Sequence, residues 1–481
     1  MKSVLLPHHC AAVDLGATSG RVIVGSWDGS RLDTTEVHRF SHALRSVGGH
    51  DYWDITGLWG EIQTGLTAAA AALPTGARLA SVGVDTWGVD YVLLNDAGRI
   101  VFPTHSYRDI RTRRGLGKLE RKSSDLARIY DATGIPAVFY NSSLQLAETV
   151  ASCPAITDLA TRCLFLPDYF NYLLSGRMAN GLSIAGTTQL LDVRSDAWSS
   201  ETLDYFSIPS RWLSPPIKSG TSLGRVHRQP ALAQTRVIAV PGHDTTCAYD
   251  AIPADPDGHD ILLSAGTWSL VGFESDQPLL GPAALAARVA NDRTGRGGYR
   301  PLVNVIGLWL LEGTLKDFAS RPTQDRAWNA LVKTASSLPP PRRLLDVTDP
   351  AFAHPPSMKA AIDAQLKRHR CQPPRELAAY VRLICDSLGR GHADTIRELE
   401  RISGRTFKRI LMVGGGSRNT RLCQATADAA GLPVLSYHLE GSAIGNLANQ
   451  LIALKVVKNL AAFRAGLTAH HRPRIYPPQQ E

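Results

Sequence analysis

Residues Ala11–Trp27, AAVDLGATSGRVIVGSW, decide how this chain is read. Two runs of β-forming residues, Ala11–Leu15 and Arg21–Trp27, flank the small-residue turn Gly16-Ala17-Thr18-Ser19-Gly20, the pattern of a β-hairpin with an exposed tip. Asp14 is the last polar side chain before that turn. The glycines let backbone N–H groups come close to a ligand, and Thr18 and Ser19 add hydroxyl donors, so the tip suits phosphate. On this stretch alone a plain hairpin with a Gly/Ser-rich turn is the alternative.

The chain repeats the grammar. Ile261–Glu274, ILLSAGTWSLVGFE, sets an apolar strand before a small tip at Ser264-Ala265-Gly266-Thr267 and a second strand after it. Two such hairpins about half a chain apart predict a duplicated architecture with a ligand between the copies, both tips facing one cleft. Val82–Gly88 (VGVDTWG) and Leu411–Ser417 (LMVGGGS) add strand-to-glycine junctions, and in open α/β sheets ligands gather at such carboxyl ends.

A length of 481 residues exceeds what one hydrophobic core supports, and the expected domains are 1–252 and 259–470, joined at Pro253–His259. The composition, 44% hydrophobic and 20% charged, is that of a globular protein, and no segment approaches the ~18 apolar residues of a membrane span. The first residues, MKSVLLPHHC, lack the extended apolar region of a secretory leader, so a cytoplasmic location without membrane partners is expected. Seven cysteines without CxxC spacing point to reduced thiols. The net charge of +9 is dispersed, and the densest basic run, Arg108–Lys122, interleaves Asp109 and Glu120 as a solvated helix face does. A nucleic-acid partner is therefore not expected, whereas small polyanions such as nucleotides are well served by the field.

Along the chain, an aromatic loop at Asp51–Ile55 leads to a helix at Glu61–Leu73, and the strand Leu79–Val84 delivers Asp85-Thr86-Trp87-Gly88 to its carboxyl end. Strands follow at Tyr91–Asn95 and Ile100–Phe102, then a helical insertion from Leu116 to about Leu174. Val237–Val240 ends at Pro241-Gly242-His243-Asp244-Thr245-Thr246, with a helix opening at Cys247–Ala251. Leu302–Leu311 reads as an apolar strand or helix start, and a long helix, Glu376–Ile402, feeds the strand Phe407–Val413, the triplet Gly414-Gly415-Gly416 and the helix Thr420–Ala430.

No GxxxxGK[ST], GxGxxG, HRD or HExxH is complete, which excludes a P-loop, a protein-kinase site and a zincin. What remains meets the needs of phosphoryl transfer: donors for phosphates, an acid for Mg²⁺ and one base. Asp244 is the expected base, held ionised near neutral pH by the orphan N–H groups and positive end of the helix that follows; a helix N-cap is its alternative role.

AVDLGATSGRV (Ala12–Val22), VGVDTWGVDYVLL (Val82–Leu94), LPDYFNYLLSG (Leu166–Gly176), GHDTTCA (Gly242–Ala248), SAGTWSLVGFES (Ser264–Ser275), NVIGLWLLE (Asn304–Glu312) and VGGGSRNT (Val413–Thr420) together resemble the FGGY carbohydrate kinases of the actin-like ATPase superfamily. The resemblance spans nearly the whole chain, and TWGVD with GTWSLVGFES favours the rhamnulokinase branch. It implies an α/β fold of two actin-like (ribonuclease H-like) domains with a ligand cleft between them. Carried over residue by residue, it assigns Ala17, Thr18, Ser19, Gly20 and Arg21 to the phosphates of ATP, and Thr267, Glu312 and Gly415 to ATP as well. Gly88, His243, Asp244, Thr245 and Asn304 would contact the sugar, with Asp244 as proton acceptor, and Asp14 would hold Mg²⁺ directly or through water. Gly88, Gly415 and the tryptophans equally suit turns and core.

Three positions depart from the family pattern. Glu312 stands where a glutamine contacts ATP in relatives, Asn291–Gly297 (NDRTGRG) replaces an NEGG-like segment, and Ser417 replaces a cysteine. The implied activity is ATP-dependent phosphorylation of the C1 hydroxyl of a deoxyketose, L-rhamnulose first, with a small-molecule sugar and ATP as partners. Another ketose such as L-fuculose, or a catalytically silent sugar- and nucleotide-binding regulator, are the alternatives.

Overall fold

The computed structural model describes residues 8–255, 257–353, 355–438 and 440–479; residues 1–7, read above for a leader, and Pro256, inside the expected linker, lie outside them. The chain forms two compact units. One takes residues up to Pro253, then Ser275–Pro301 and Glu440–His470; the other takes Ala254–Glu274, Leu302–Leu439 and His471–Glu481. The chain leaves the first unit at Pro253 and returns to it twice.

In the first unit six strands lie in the order Leu32–Ser41, Ser19–Trp27, His8–Leu15, Leu79–Thr86, Arg236–Ile238, Ser222–Arg225. His8–Leu15 is central and buried on both faces. It runs antiparallel to Ser19–Trp27, pairing Asp14 with Arg21, and parallel to Leu79–Thr86, pairing Asp14 with Asp85. Ala11, Val13 and Leu15 share a core with Leu58, Ile62 and Leu66 of the helix Ile55–Ala71, which Asp54 caps through a 2.8 Å bond from Gly57 N. The helix Gly441–Ala453 lies against the same strands, where Gln450 Nε2 donates to Ala11 O at 2.8 Å.

In the second unit the strand order is Tyr299–Ile306 (its last five residues within this unit), Trp268–Gly272, Asp260–Ala265, Arg409–Val413, Val434–Ser436, Arg474–Tyr476. Asp260–Ala265 pairs antiparallel with Trp268–Gly272 and parallel with Arg409–Val413, the arrangement His8–Leu15 makes with its own neighbours. The helices Leu377–Ser403 and Thr420–Ala430 pack on each other in this unit. Each unit is thus mixed α/β, built on a hairpin joined to a parallel strand, as the repeated sequence grammar predicts.

Several local readings need correction. Arg162–Phe165, inside the expected helical insertion, is a strand paired with Tyr91–Leu94, and Ile100 makes only an isolated bridge to Leu94. The basic run is not all solvated, since the Arg111 side chain is buried and its Nε donates to Glu148 at 2.8 Å. Leu302–Leu311 divides into the strand Tyr299–Ile306 and the helix Trp309–Lys316.

Candidate active site

Leu15 pairs with Gly20, which leaves the four-residue turn Gly16–Ser19, and Ser19 pairs outward with Ser41 of the third strand. Asp14 and Arg21 therefore stand opposite each other. Arg21 donates Nε and Nη2 to Asp14 Oδ2 at 2.9 and 2.7 Å, and Nη1 to Glu440. Burial alone would lower the guanidinium pKa, but the Asp14 and Glu440 carboxylates outweigh it and hold Arg21 above its ordinary value. At the tip, Gly16 N donates to Ser19 O at 2.9 Å, and His42 Nε2 bonds to Gly16 O at 2.8 Å, bracing the turn from outside.

Asp85, beside Asp14 on the parallel strand, is fully buried. Asn446 Nδ2 donates to its Oδ2 at 2.6 Å, while Oδ1 has no hydrogen-bond partner. Burial, then the charge of Asp14, pushes the Asp85 carboxyl well above the usual range, against the pull of Asn446.

Asp244 is the first residue of the helix Asp244–Ala251, and His243 occupies the cap position. Thr245 donates to Asp244 Oδ1 from its backbone N at 2.5 Å and from Oγ1 at 3.2 Å. The helix-end N–H groups expected to hold Asp244 ionised near neutral pH are opposed here. Burial and the nearby charge of Asp14 outweigh the two Thr245 bonds and push the carboxyl up to about 7. His243 places Nε2 3.5 Å from Asp244 Oδ1 and Nδ1 3.6 Å from Asp292 Oδ2. Burial lowers the His243 pKa, Asp292 opposing it, and raises that of Asp292, His243 opposing. Thr86 donates its N–H to Gly242 O at 2.9 Å and bridges to His243, which sets this loop beside the end of Asp85's strand. A Cβ on Gly88 would stand 3.3 Å from Thr187 Oγ1 and 3.5 Å from His243 Nε2, so Gly88 keeps this approach open. Asp14, Arg21, Gly88, His243, Asp244 and Thr245 are thereby gathered at one end of the first unit's sheet.

The other candidates belong to the second unit. Its hairpin closes at the pair Ala265 and Ser269, leaving the turn Gly266–Trp268, where the Gly266 and Thr267 carbonyls accept from Leu308 N at 2.8 Å and Trp309 N at 3.1 Å, so the tip caps the helix that carries Glu312. Gly414 has φ of 84°, and a Cβ there would fall 2.7 Å from Ala265 O, so only glycine lets the triplet lie against the hairpin. Gly415, the next residue of the triplet, is exposed. Ser417 is buried and donates Oγ to Gly414 O and Tyr437 O at 2.8 and 3.1 Å, a structural role for that departure. Glu312 is exposed, with partial burial raising its carboxyl and Lys316 opposing. Asn304, exposed on Tyr299–Ile306, pairs with Leu270.

Sequence reading missed Asp292, Glu440 and Asn446. Asp292 lies inside the departing segment Asn291–Gly297, which is its one signal. Asn446, Asn449 and Gln450 recur at one-turn spacing in an otherwise apolar helix, a pattern that marks a buried polar seam: Asn449 Nδ2 donates to Asp250 Oδ2 at 2.7 Å, and Ser81 Oγ to Gln450 Oε1 at 2.6 Å.

Comparison with known proteins gives two family-model matches, the N-terminal domain of the FGGY family of carbohydrate kinases over residues 10–249 and its C-terminal domain over 261–454. A rhamnulokinase of Klebsiella pneumoniae subsp. pneumoniae is 39% identical over 458 residues, 95% of this chain and 92% of that protein. One of Pectobacterium carotovorum subsp. carotovorum is 39% identical over 477 residues, 98% and 93% of the two chains. Among solved structures, the gluconate kinase of Lactobacillus acidophilus superposes with a TM-score of 0.79 at 14% identity, and the xylulose kinase of Rhodospirillum rubrum with 0.77 at 20%, each covering 98% of this chain and 94% of its own. At such identities these two speak for the fold.

Proposed function

The chain belongs to the FGGY family of carbohydrate kinases, and we propose that it transfers the γ-phosphate of ATP to the C1 hydroxyl of a deoxyketose, L-rhamnulose first. The observation that carries this reading is the 39% identity with rhamnulokinases over 95–98% of this chain. The chemistry is in-line transfer. The C1 oxygen bonds to the γ-phosphorus, the bond to the bridging oxygen breaks, ADP leaves, and the hydroxyl proton passes to Asp244. A carboxyl at about 7 suits that role, because it is substantially ionised at neutral pH yet basic enough to take the proton. Arg21 and the turn residues Ala17, Thr18, Ser19 and Gly20 would receive the phosphates, Thr267, Glu312 and Gly415 the nucleotide, and Gly88, His243, Thr245 and Asn304 the sugar.

Mg²⁺ would supply charge neutralisation on the phosphates, with Asp14 holding it directly or through water. The residues fit such an ion: Arg21 bonds only Oδ2 of Asp14, and the buried Asp85 Oδ1 beside it lacks a partner. Among the described residues no group of three or more His, Cys, Asp or Glu could cage a metal, and Mg²⁺ bound by one or two carboxylates, water and phosphate needs none. Among the same residues no helix is long and apolar enough to cross a membrane.

Coupled ADP release with ATP, Mg²⁺ and a panel of ketoses tests the reading. The expected result is the highest kcat/KM for L-rhamnulose. A higher value for L-fuculose would reassign the substrate, and silence on every sugar despite ATP binding would favour a regulator. In the same assay Glu312→Gln should lower KM for ATP several-fold, about 1 kcal/mol, by removing a negative charge near the polyphosphate, and leave KM for the sugar unchanged. An unchanged KM for ATP would turn Glu312 away from the nucleotide.

A further inference from the structure

Four donors converge on one buried carboxylate in the first unit. Asp90 Oδ2 accepts from Trp53 Nε1 at 2.5 Å, Trp87 Nε1 at 2.9 Å and Tyr107 N at 3.1 Å, and Oδ1 accepts from Gln145 Nε2 at 3.0 Å. Gln145 is locked in turn, since Arg111 Nη2 donates to its Oε1 at 3.1 Å. The two indoles lie with centroids 4.1 Å apart, Trp53 is 6.3 Å from Tyr107, and Tyr107 is 6.2 Å from Tyr140. His42, 5.6 Å from both indoles, ties the cluster to the turn carbonyl of Gly16.

The backbone that delivers this hub is strained. Val89, between Gly88 and Asp90, has φ of 68°, a left-handed conformation that a β-branched residue rarely adopts. It is held there by Ser142 Oγ donating to Val89 O at 2.5 Å and by Val89 N donating to Thr187 Oγ1 at 3.3 Å. Strain so fixed turns Gly88 towards His243 and Asp90 into the aromatic cluster in consecutive steps. Half-buried Tyr107 stands within the field of both Asp90 and Asp244, so the cluster reaches the reacting end of the site.

Resting on the deoxyketose reading, we propose that Asp90 is a positioning residue that sets specificity: it fixes Trp53, Trp87 and Tyr107 as an aromatic wall that receives the methyl-bearing, deoxygenated end of the acceptor sugar. Aromatic faces take C–H bonds and offer nothing to a hydroxyl, so a sugar carrying oxygen at that end loses hydration there without recompense. Without the carboxylate the wall has no common acceptor. In Asp90→Asn an N–H group stands where one oxygen stood: with the amide oxygen at the Oδ2 place the Gln145 bond is lost and the other three go to a weaker, uncharged acceptor, and with the amide turned round those three are lost.

The test compares L-rhamnulose with L-fructose, the same ketose with a hydroxyl on C6. Wild type is expected to favour the deoxy sugar by about 10²-fold in kcat/KM, the span one added hydroxyl gives in an apolar pocket. Asp90→Asn, and Trp87→Phe, which keeps a ring but lacks the indole N–H, should reduce that preference below about 10-fold and leave KM for ATP within about 2-fold. Quenching of tryptophan fluorescence by the sugar should weaken in parallel. If Asp90→Asn does not fold, Trp87→Phe decides alone. Full preference retained in the folded variants overturns the inference. So does a wild type active on both sugars without preference, and that outcome leaves the kinase reading standing; inactivity on both sugars overturns the two together.

Discussion

Asp244→Asn is expected to lower kcat by about 10²–10⁴-fold, roughly 3–5 kcal/mol of barrier, with KM for ATP and the Kd for sugar little changed. The amide keeps shape and hydrogen bonding but cannot accept the hydroxyl proton. As a structural cap Asp244 has little to lose, because His243 occupies the cap position and the Asp244 carboxylate bonds only its neighbour Thr245. The stability effect has the opposite sign to that of an ordinary paired carboxylate. The folded-state value, about 7, lies above the roughly 3.9 of an unfolded chain, so ionised Asp244 opposes folding; that penalty is absent below about pH 4, grows as pH rises, and is complete above about pH 7. Asp244→Asn should accordingly raise Tm at pH 8 and leave it unmoved at pH 4, while wild-type kcat/KM climbs with pH through about 7. A variant that retained kcat would leave the base to be sought elsewhere, with Asp85 the next carboxylate at a strand end.

These two behaviours were not equally legible in the sequence. The placement of Asp244 at a strand-to-helix junction follows from VIAVPGHDTTCAYDA, where apolar residues give way to a glycine turn and a helix. Its proton affinity does not, because the dominant influences are burial and Asp14, 230 positions away in the sequence. The same division runs through the fold. Both hairpins and the strand Leu79–Thr86 are readable from β-formers around small-residue turns, since that signal is local. Arg162–Phe165 is four residues long, too short for periodicity to separate a strand from a helical turn, and its partner Tyr91–Leu94 is remote. Asn446 reaches Asp85 across 361 positions and Glu440 reaches Arg21 across 419, so these braces rest on partners that a single sequence does not pair. Asp90 was visible as part of TWGVD, but three of its four donors come from three other segments.

Gly445→Ala should destabilise the first unit by about 3 kcal/mol or more, a fall in Tm of roughly 6–12 °C, although helix propensity alone favours alanine by ~1 kcal/mol. Gly445 sits inside Gly441–Ala453 where that helix crosses Asp244–Ala251, and a Cβ there would lie 1.7 Å from Cys247 O and 2.6 Å from Cys247 C. No rotamer relieves a clash with backbone, so the two helices must separate. Separation pulls on the bonds that the same helix makes from Asn446 to Asp85, from Asn449 to Asp250 and from Gln450 to Ala11 O, and a buried bond to a charged group is worth about 1.5–3 kcal/mol. It also shifts the first turn of the helix that begins at Asp244, and a displacement of about 1 Å at a reacting group costs up to about 10²-fold in rate. Gly60→Ala supplies the contrast, because Gly60 lies in Ile55–Ala71 with open space where its Cβ would go, so there the propensity term acts unopposed and Tm should rise. Calorimetry on both variants, with kcat measured well below the melting range, separates packing from propensity: Gly445→Ala as stable and active as Gly60→Ala would mean that the helix crossing, and not the glycine, sets how closely Asp85 and Asp244 are held.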